Sequence, residues 1–329
     1  MKAIVCRTYG SPNVLHFEDT ATPTPTDDQV LLRVRAASVN PYDWHFMRGS
    51  PYIMRMLSGL TRPKDIRVGV DVAGVVETVG SKVTRFKPGD GVFGGCRGAF
   101  AEYACAAETS IVAKPANVTF EQAATVAVAG YTALQGLRDQ GKIQRGQNVL
   151  VNGASGGVGT FAVQIAKSFG TRVTGVCSTR NLDLVRSLGA DRVIDYTRKD
   201  FTRGSDRYDI VLDCHASRPL LACAGILAPT GNYIIVGAPG GGLLGPLRLA
   251  VKAFLLAPFV RPALTMMMAK PNHHDLALIA DLMKTGAVTP VIDRGYRLDE
   301  VPDAIRYLEQ GHARGKVVVT VSADRRAPP

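Results

Sequence analysis

The chain has 329 residues, of which 46% are hydrophobic and 20% charged, and a net charge of +11 at neutral pH. This length usually divides into two domains, and the composition is typical of a globular protein, which excludes a disordered chain. The lysines and arginines are scattered and form no long basic run, which argues against a nucleic-acid-binding protein.

The first part of the chain predicts a β-rich domain. Runs rich in β-branched residues and separated by Gly, Pro or Asp turns predict strands; they are MKAIVCRTYG, VLHFED, QVLLRVRAASVN, VGVDVAGVVETVG and GAFAEYACAAETSIVAKP. The opening run lacks the continuous apolar core of a secretory signal, so we expect a cytoplasmic protein. From Thr119 the pattern becomes rich in small residues with helical spacing, and Thr119 followed by Glu121 predicts the helix cap.

A repeating strand–helix pattern follows. Its strand segments are NVLVNGA, RVTGVCS, DRVIDY, YDIVLDC and GNYIIVGA, and ALTMMMA is a candidate sixth strand. Strands that alternate with helices predict a parallel sheet. The tail adds helices and strands, and its closing strand KVVVTV is predicted to return to the N-terminal β domain. We therefore predict an α/β fold, with residues 124–269 inserted between residues 1–123 and 270–329.

A glycine-rich turn lies between the first strand of this pattern and its helix. Gly153, Gly156 and Gly159 stand at every third position. At such a junction glycine permits a tight turn, close approach of the backbone to a pyrophosphate, and close helix–strand packing. The start of the helix then offers unpaired N–H groups to the phosphates. The turn therefore predicts a dinucleotide site.

The end of the second strand indicates which dinucleotide. Sites that prefer NAD usually place Asp or Glu there, against the ribose 2′-hydroxyl, whereas this chain has Ser178 and Arg180. A hydrogen bond to a charged group contributes roughly 1.5–3 kcal/mol, which corresponds to about a tenfold to hundredfold preference for NADP. Tyr196, at the end of the third strand, is a candidate contact for the adenosine. The alternative is that Ser178 caps the helix and Arg180 is solvated.

These segments occur in an order that resembles a known family. VGVDVAGVVETVG, AVAGYTALQGL, VNGASGGVGTFAVQIAK, CSTRN, LGADRVIDY, YDIVLDC and GHARGKVVV are similar to the zinc-free quinone oxidoreductase (zeta-crystallin-like) family of the medium-chain dehydrogenase/reductase superfamily. The resemblance implies a GroES-like catalytic domain, a Rossmann domain and NADPH as cofactor. It implies cofactor contacts by Ser155, Gly156, Gly157, Val158, Ser178, Arg180 and Tyr196, with Thr132, Gly237 and Lys316 as further candidates.

The same resemblance allows a test for zinc. Zinc alcohol dehydrogenases of the superfamily carry a Gly-His-Glu segment where this chain has Gly69-Val70-Asp71, and a further ligand where residues 126–129 are apolar. Catalytic zinc needs about three nitrogen, sulfur or carboxylate ligands. The two positions named here are two of the three that would supply these ligands, and neither keeps a suitable side chain, so no metal site is predicted.

Polar residues after an apolar strand are the candidates for catalysis. In SVNPYDWHFMRG, Asn40 is a candidate amide donor to the cofactor or substrate oxygen, Tyr42 and His45 are candidate proton relays, and Asp43 could orient the relay. The alternative is that this segment shapes a turn and a helix cap, in which case solvent supplies the proton.

The leading hypothesis is therefore an NADPH-dependent, zinc-independent enzyme that transfers hydride to a quinone or an α,β-unsaturated carbonyl compound. The alternatives are a zinc-dependent alcohol dehydrogenase, and an NADPH-binding regulatory or RNA-binding protein of the crystallin type with little turnover. The resemblance also implies a homodimer. The apolar segment 240–262, which carries interspersed cations, is interpreted as a cover of the substrate site or a subunit contact, with peripheral membrane contact as the alternative.

Overall fold

The computed structural model describes residues 1–236 and 263–321 and divides into two compact units. The first unit comprises Met1–Val128, Pro271–Gly286 and the chain from Pro290 onward; the second comprises Ala129–Lys270 and Ala287–Thr289. The sequence predicts instead that Ala287–Thr289 belongs to the β-rich domain. The Gln164 side chain ties it to the second unit, because its Nε2 donates to the Thr289 carbonyl (3.0 Å) and its Oε1 accepts from the Thr289 amide (2.8 Å).

The strands, in chain order, are β1 (Lys2–Cys6), β2 (Leu15–Asp19), β3 (Gln29–Val39), β4 (Asp71–Val79), β5 (Gly91–Gly95), β6 (Tyr103–Ala107), β7 (Ile111–Ala113), β8 (Asn148–Asn152), β9 (Arg172–Cys177), β10 (Arg192–Asp195), β11 (Tyr208–Asp213), β12 (Leu227–Ile235), β13 (Ala263–Met266), β14 (Ile292–Arg297) and β15 (Lys316–Thr320). The α-helices are α1 (Pro41–Arg48), α2 (Ile53–Ser58), α3 (Phe120–Ala123), α4 (Ala127–Gln135), α5 (Gly157–Ser168), α6 (Leu182–Ser187), α7 (Leu220–Ala224), α8 (His273–Lys284) and α9 (Val301–Glu309). Short 3₁₀ turns lie at Pro12–Val14, Glu108–Ser110, Thr179–Asn181, Phe201–Arg203 and Leu298–Glu300, and a π turn at Gly136–Gln140.

The first unit is built on a mostly antiparallel sheet in the order β14-β15-β3-β4-β5-β7, with β6 also paired to β3. Its core is formed by apolar side chains that alternate along these strands, among them Leu32, Val72 and Phe93, all fully buried. The closing strand β15 runs antiparallel to β3, with Val318 opposite Ser38. The predicted return of KVVVTV to the N-terminal β domain is thus confirmed.

The second unit contains a six-stranded parallel sheet in the order β10-β9-β8-β11-β12-β13. This is the strand order of a Rossmann domain, in which ligands bind beyond the carboxyl ends of the strands where the order reverses. The predicted sixth strand is confirmed as β13, which pairs in parallel with β12. The sheet therefore places the ends of β8 and β9 side by side.

The segment after Thr119 departs from the predicted continuous helix in two respects. It forms two helices, α3 and α4, and the box partner of Thr119 is Gln122 rather than Glu121. Thr119 Oγ1 accepts from the Gln122 amide (3.2 Å), and Gln122 Oε1 accepts from the Thr119 amide (3.1 Å). The third helical residue closes the capping box because its side chain reaches back to the amide of the N-cap. The side chain of the second helical residue does not reach it.

Two sequence predictions lie outside the described residues: the cofactor contact assigned to Gly237, and the interpretation of residues 240–262. Among the helices that the structure describes, none combines the length and the apolar character needed to span a membrane.

Candidate functional site

The glycine-rich turn connects β8 to α5 in a conformation that requires glycine. Gly153 has a φ of 81°, in the left-handed region that disfavours other residues. At Gly159, a Cβ atom would lie 2.1 Å from the Gly153 carbonyl oxygen, so any side chain would displace the backbone. The two glycines together fold the turn tightly against the first turn of α5.

The start of α5 offers a set of backbone donors. Gly156 is its N-cap, and no side chain caps the helix. Within the described residues, no acceptor reaches the amides of Gly157, Val158 or Gly159. The first amides of a helix carry the positive end of its dipole and bind phosphate groups. The turn and these amides therefore supply the donors that the predicted dinucleotide site requires.

The end of β9 lies next to this turn, and its side chains are polar. Ser178 follows the strand and begins the turn Thr179–Asn181, and Arg180 in that turn is exposed. The buried Asn181 donates from Nδ2 to Ser155 Oγ (2.9 Å) and to Ser178 Oγ (3.2 Å). Asn181 is not among the residues predicted from the sequence; the available signal was a polar residue three positions after Ser178, on the same short turn.

The two carboxylates near the end of β9 already have hydrogen-bonding or ion-pair partners. Asp183 is fully exposed on α6 and pairs with Arg186 (2.8 Å). Asp195, at the end of β10, accepts from Thr179 Oγ1 (2.5 Å) and Thr197 Oγ1 (2.7 Å), and the Thr179 hydroxyl lowers the pKa of that carboxyl. The end of β9 thus presents a hydroxyl and a guanidinium group. Tyr196 is about half exposed beside it, with its amide bonded to the Cys177 carbonyl.

In the first unit, a buried ion pair lies beneath the candidate catalytic segment. Asp71 at the start of β4 is fully buried and pairs with Lys316 Nζ at 3.2 Å. Asp71 also accepts from Ser38 Oγ (2.9 Å) and the Val128 amide (3.0 Å). The Lys316 side chain is only 4% exposed. Its charge is therefore used to neutralise Asp71 inside the fold.

Asn40 belongs to the same buried network. Its Nδ2 donates to Asp71 Oδ2 (2.9 Å) and the Ser38 carbonyl (3.3 Å), and its Oδ1 accepts from Lys316 Nζ (2.5 Å). These bonds use both Nδ2 hydrogens, and Asn40 is 1% exposed. The carboxamide therefore holds β3, β4 and β15 together and has no donor left for a ligand.

Asp43 lies in the first turn of α1, whose N-cap is Asn40. Its Oδ2 accepts from the Asn40 amide at 2.7 Å, which closes a capping box at the start of α1. Burial raises the pKa of Asp43 to about 7, against the opposing effect of the Asn40 backbone bond. The cap function that sequence analysis kept as the alternative is thus present in the structure.

The two predicted proton relays differ in exposure. Tyr42 is 45% exposed. His45 stacks on Trp44 with ring centroids 3.7 Å apart, and its Nδ1 lies 2.7 Å from the Ser50 carbonyl. Because a carbonyl only accepts, His45 Nδ1 carries the hydrogen, and burial lowers the pKa of the ring. Neutral His45 therefore keeps Nε2 as an acceptor and is a poor acid at neutral pH.

The zinc position predicted to be lost has a donor set that does not fit the metal. Val70 offers no ligand, and Asp71 is bonded to a lysine. Throughout the described part of the chain, no three His, Cys, Asp or Glu side chains form a group that could hold a metal ion. Thr132, the remaining predicted cofactor contact, is half-buried on α4.

Comparison with known proteins matches both parts of the chain. Residues 26–116 match the alcohol dehydrogenase GroES-like domain, and residues 188–319 match the family described as zinc-binding dehydrogenase. The chain is 34% identical to a chloroplastic quinone-oxidoreductase homolog of Spinacia oleracea, over 97% of this chain and 98% of the relative. It is 34% identical to the chloroplastic NADPH-dependent alkenal/one oxidoreductase of Arabidopsis thaliana, over 97% of this chain and 79% of the relative. The solved quinone oxidoreductase of Coxiella burnetii superposes with a TM-score of 0.85 at 31% identity, covering 98% and 99% of the two chains.

Proposed function

Because the chain belongs to the quinone oxidoreductase family of the medium-chain dehydrogenase/reductase superfamily, we propose that it is an NADPH-dependent reductase of quinones or α,β-unsaturated carbonyl compounds. Its membership makes it an oxidoreductase. The names of relatives that match nearly the whole chain support the substrate classes, since they include quinone oxidoreductases and an alkenal/one oxidoreductase.

The observation that carries the cofactor assignment is the end of β9. It presents Ser178 and Arg180 where an NAD site usually has a carboxylate. A hydroxyl and a guanidinium group both donate to a 2′-phosphate, and a carboxylate would repel it. In this proposal Ser155 and the amides at Gly156, Gly157 and Val158 hold the pyrophosphate, and Tyr196 lies against the adenosine.

The chemistry needs little from the protein beyond binding and a proton. Bound NADPH supplies a hydride. A quinone or enone can accept it without a metal, because the oxygen that becomes negative needs only a hydrogen-bond donor and a proton. Of the predicted relays, exposed Tyr42 is the candidate donor, with solvent as the alternative. Asn40, Asp43 and Lys316 then act by holding the segment that carries Tyr42.

A turnover screen tests this proposal. Quinones, enones and simple alcohols are offered with NADPH and with NADH, in the presence and absence of a chelator. We expect NADPH oxidation with a quinone or enone, unaffected by the chelator and much slower with NADH. Alcohol turnover that the chelator abolishes would instead identify a zinc alcohol dehydrogenase. NADPH binding without turnover of any compound would identify a regulatory protein.

A pair of arginine variants tests the phosphate contact directly. Arg180→Ala should raise the Kd of NADPH by about tenfold or more and leave that of NADH within about twofold. Arg186→Ala removes the same charge from the exposed face of α6 and serves as the matched control. Equal losses for both cofactors in Arg180→Ala would overturn the assignment of the 2′-phosphate.

A further inference from the structure

Asn181 connects two strand ends of the Rossmann sheet. It lies in the turn after β9, is 5% exposed, and bonds Ser155 in the turn after β8 at 2.9 Å. Its second Nδ2 bond, to Ser178 Oγ at 3.2 Å, stays within its own turn. Asn181 thus holds together the two serines that flank the proposed phosphate sites.

These bonds determine what the serine hydroxyls can still do. A hydroxyl has one hydrogen to donate and lone pairs to accept with. Because Asn181 donates to both oxygens, the hydrogens of Ser155 and Ser178 remain available for other acceptors. Within residues 1–236 and 263–321, neither hydrogen has an acceptor. Both serines are therefore set as donors, beside helix amides that are donors too.

The other end of the Asn181 carboxamide gives a second observation. Its Oδ1 is buried, and no donor in the described part of the chain reaches it. A buried acceptor without a partner is destabilising. The position of Asn181 thus leaves its Oδ1 without a donor. The hydrogen bonds that its side chain does make are the two from Nδ2 to the serines.

We propose that Asn181 is a positioning residue that orients the hydroxyls of Ser155 and Ser178 as donors to the phosphate groups of the cofactor, and so contributes to the preference for a 2′-phosphate. This inference rests on the proposed function, because the ligand is the phosphorylated nucleotide proposed there. It assigns Asn181 no contact with the reacting atoms.

Binding of 2′,5′-ADP and 5′-AMP, measured by calorimetry, tests this role, because only the first carries the 2′-phosphate. In Asn181→Ala, the serine hydroxyls can rotate, and the ratio of the two affinities should fall by about threefold to tenfold. In Asn181→Asp, the hydroxyls turn toward the carboxylate, so the ratio should fall further. Asn181→Asp has nearly the same shape as the native side chain, which keeps the test valid if the alanine variant does not fold.

A double variant separates positioning from a structural role. If Asn181 acts through Ser178, Asn181→Ala should leave the affinity ratio unchanged in a Ser178→Ala background. The control is Asn232→Ala on β12, which removes a side-chain amide bond to the Gly141 carbonyl and should not change the ratio. A wild-type ratio near one would refute the NADPH assignment and this role with it. A high wild-type ratio that survives Asn181→Ala and Asn181→Asp would refute this role alone, as would an equal loss with and without Ser178.

Discussion

Replacing Lys316 by methionine should destabilise the β-rich unit far more than loss of a surface charge would. Lys316 and Asp71 are 4% and 0% exposed, so methionine leaves a carboxylate buried without its cation. Removing one partner of a buried pair costs about 3–5 kcal/mol. Asp71 keeps its bonds from Ser38, Asn40 and the Val128 amide, which places the expected loss near the lower figure.

Calorimetric unfolding measures this effect. For a unit of this size, a loss of about 3 kcal/mol lowers Tm by roughly 6–12 °C. Lys2→Met is the matched control, because Lys2 pairs with Asp19 at 2.6 Å but the two side chains are 45% and 75% exposed. An exposed pair contributes about 0–1 kcal/mol, so Tm should change by no more than a few degrees in that variant.

A double variant identifies the cause of the loss. Asp71→Asn in the Lys316→Met background removes the uncompensated charge and should restore part of the stability, so that the two changes are not additive. A Lys316→Met variant as stable as Lys2→Met would refute the reasoning. So would a double variant whose loss equals the sum of the two single losses, since the charges would then not be coupled.

Three further predictions concern the glycine turn, the helix cap and the proton donor. Gly159→Ala places a Cβ 2.1 Å from the Gly153 carbonyl oxygen and should destabilise its unit by about 1–3 kcal/mol and abolish calorimetric NADPH binding. Gly295→Ala, where a Cβ meets nothing within 4 Å, should do neither, and normal binding by the Gly159 variant would contradict the packing argument. Burial raises the pKa of Asp43 from 3.8 to about 7 beside Asp71 and Lys316, so the folded chain retains a proton that the unfolded chain releases, and this group makes stability fall as pH rises from about 4 to 7. Asp43→Asn should remove up to about 2.7 kcal/mol of the fall between pH 5 and pH 8, measured as urea unfolding free energies at those two pH values; an unchanged difference between them would show that Asp43 ionises normally. Tyr42→Phe should lower kcat by about 100-fold with little change in KM, and an unchanged kcat would assign the proton to solvent.

The sequence was most informative where structure depends on neighbours along the chain. The parallel strands and the glycine turn at Gly153 are local patterns, and the structure confirms the fold that they predict. The Asp71 and Lys316 pair is different, because 245 residues separate the partners. No local pattern shows that a lysine at the start of one strand will neutralise an aspartate at the start of another.

The candidate site shows the same limit at the level of single side chains. Residue type suggested that Asn40 could donate to a ligand, but its neighbours in space use both of its amide hydrogens. Asn181 was missed because its two partners follow different strands, and only the sheet order brings Ser155 close to it. The homodimer and the cytoplasmic location stay predictions.

The position of β15 has a consequence for how the protein is made. The strand β15 lies between β14 and β3, so the β-rich unit combines residues that precede the parallel sheet in the chain with residues that follow it. During synthesis on the ribosome, all the described strands of the parallel sheet emerge before β15. Until then, the edge of β3 that pairs with β15 stays unpaired. A nascent chain that stops before Lys316 would contain all the described strands of the parallel sheet but an incomplete β-rich unit, so native assembly of that unit depends on β15.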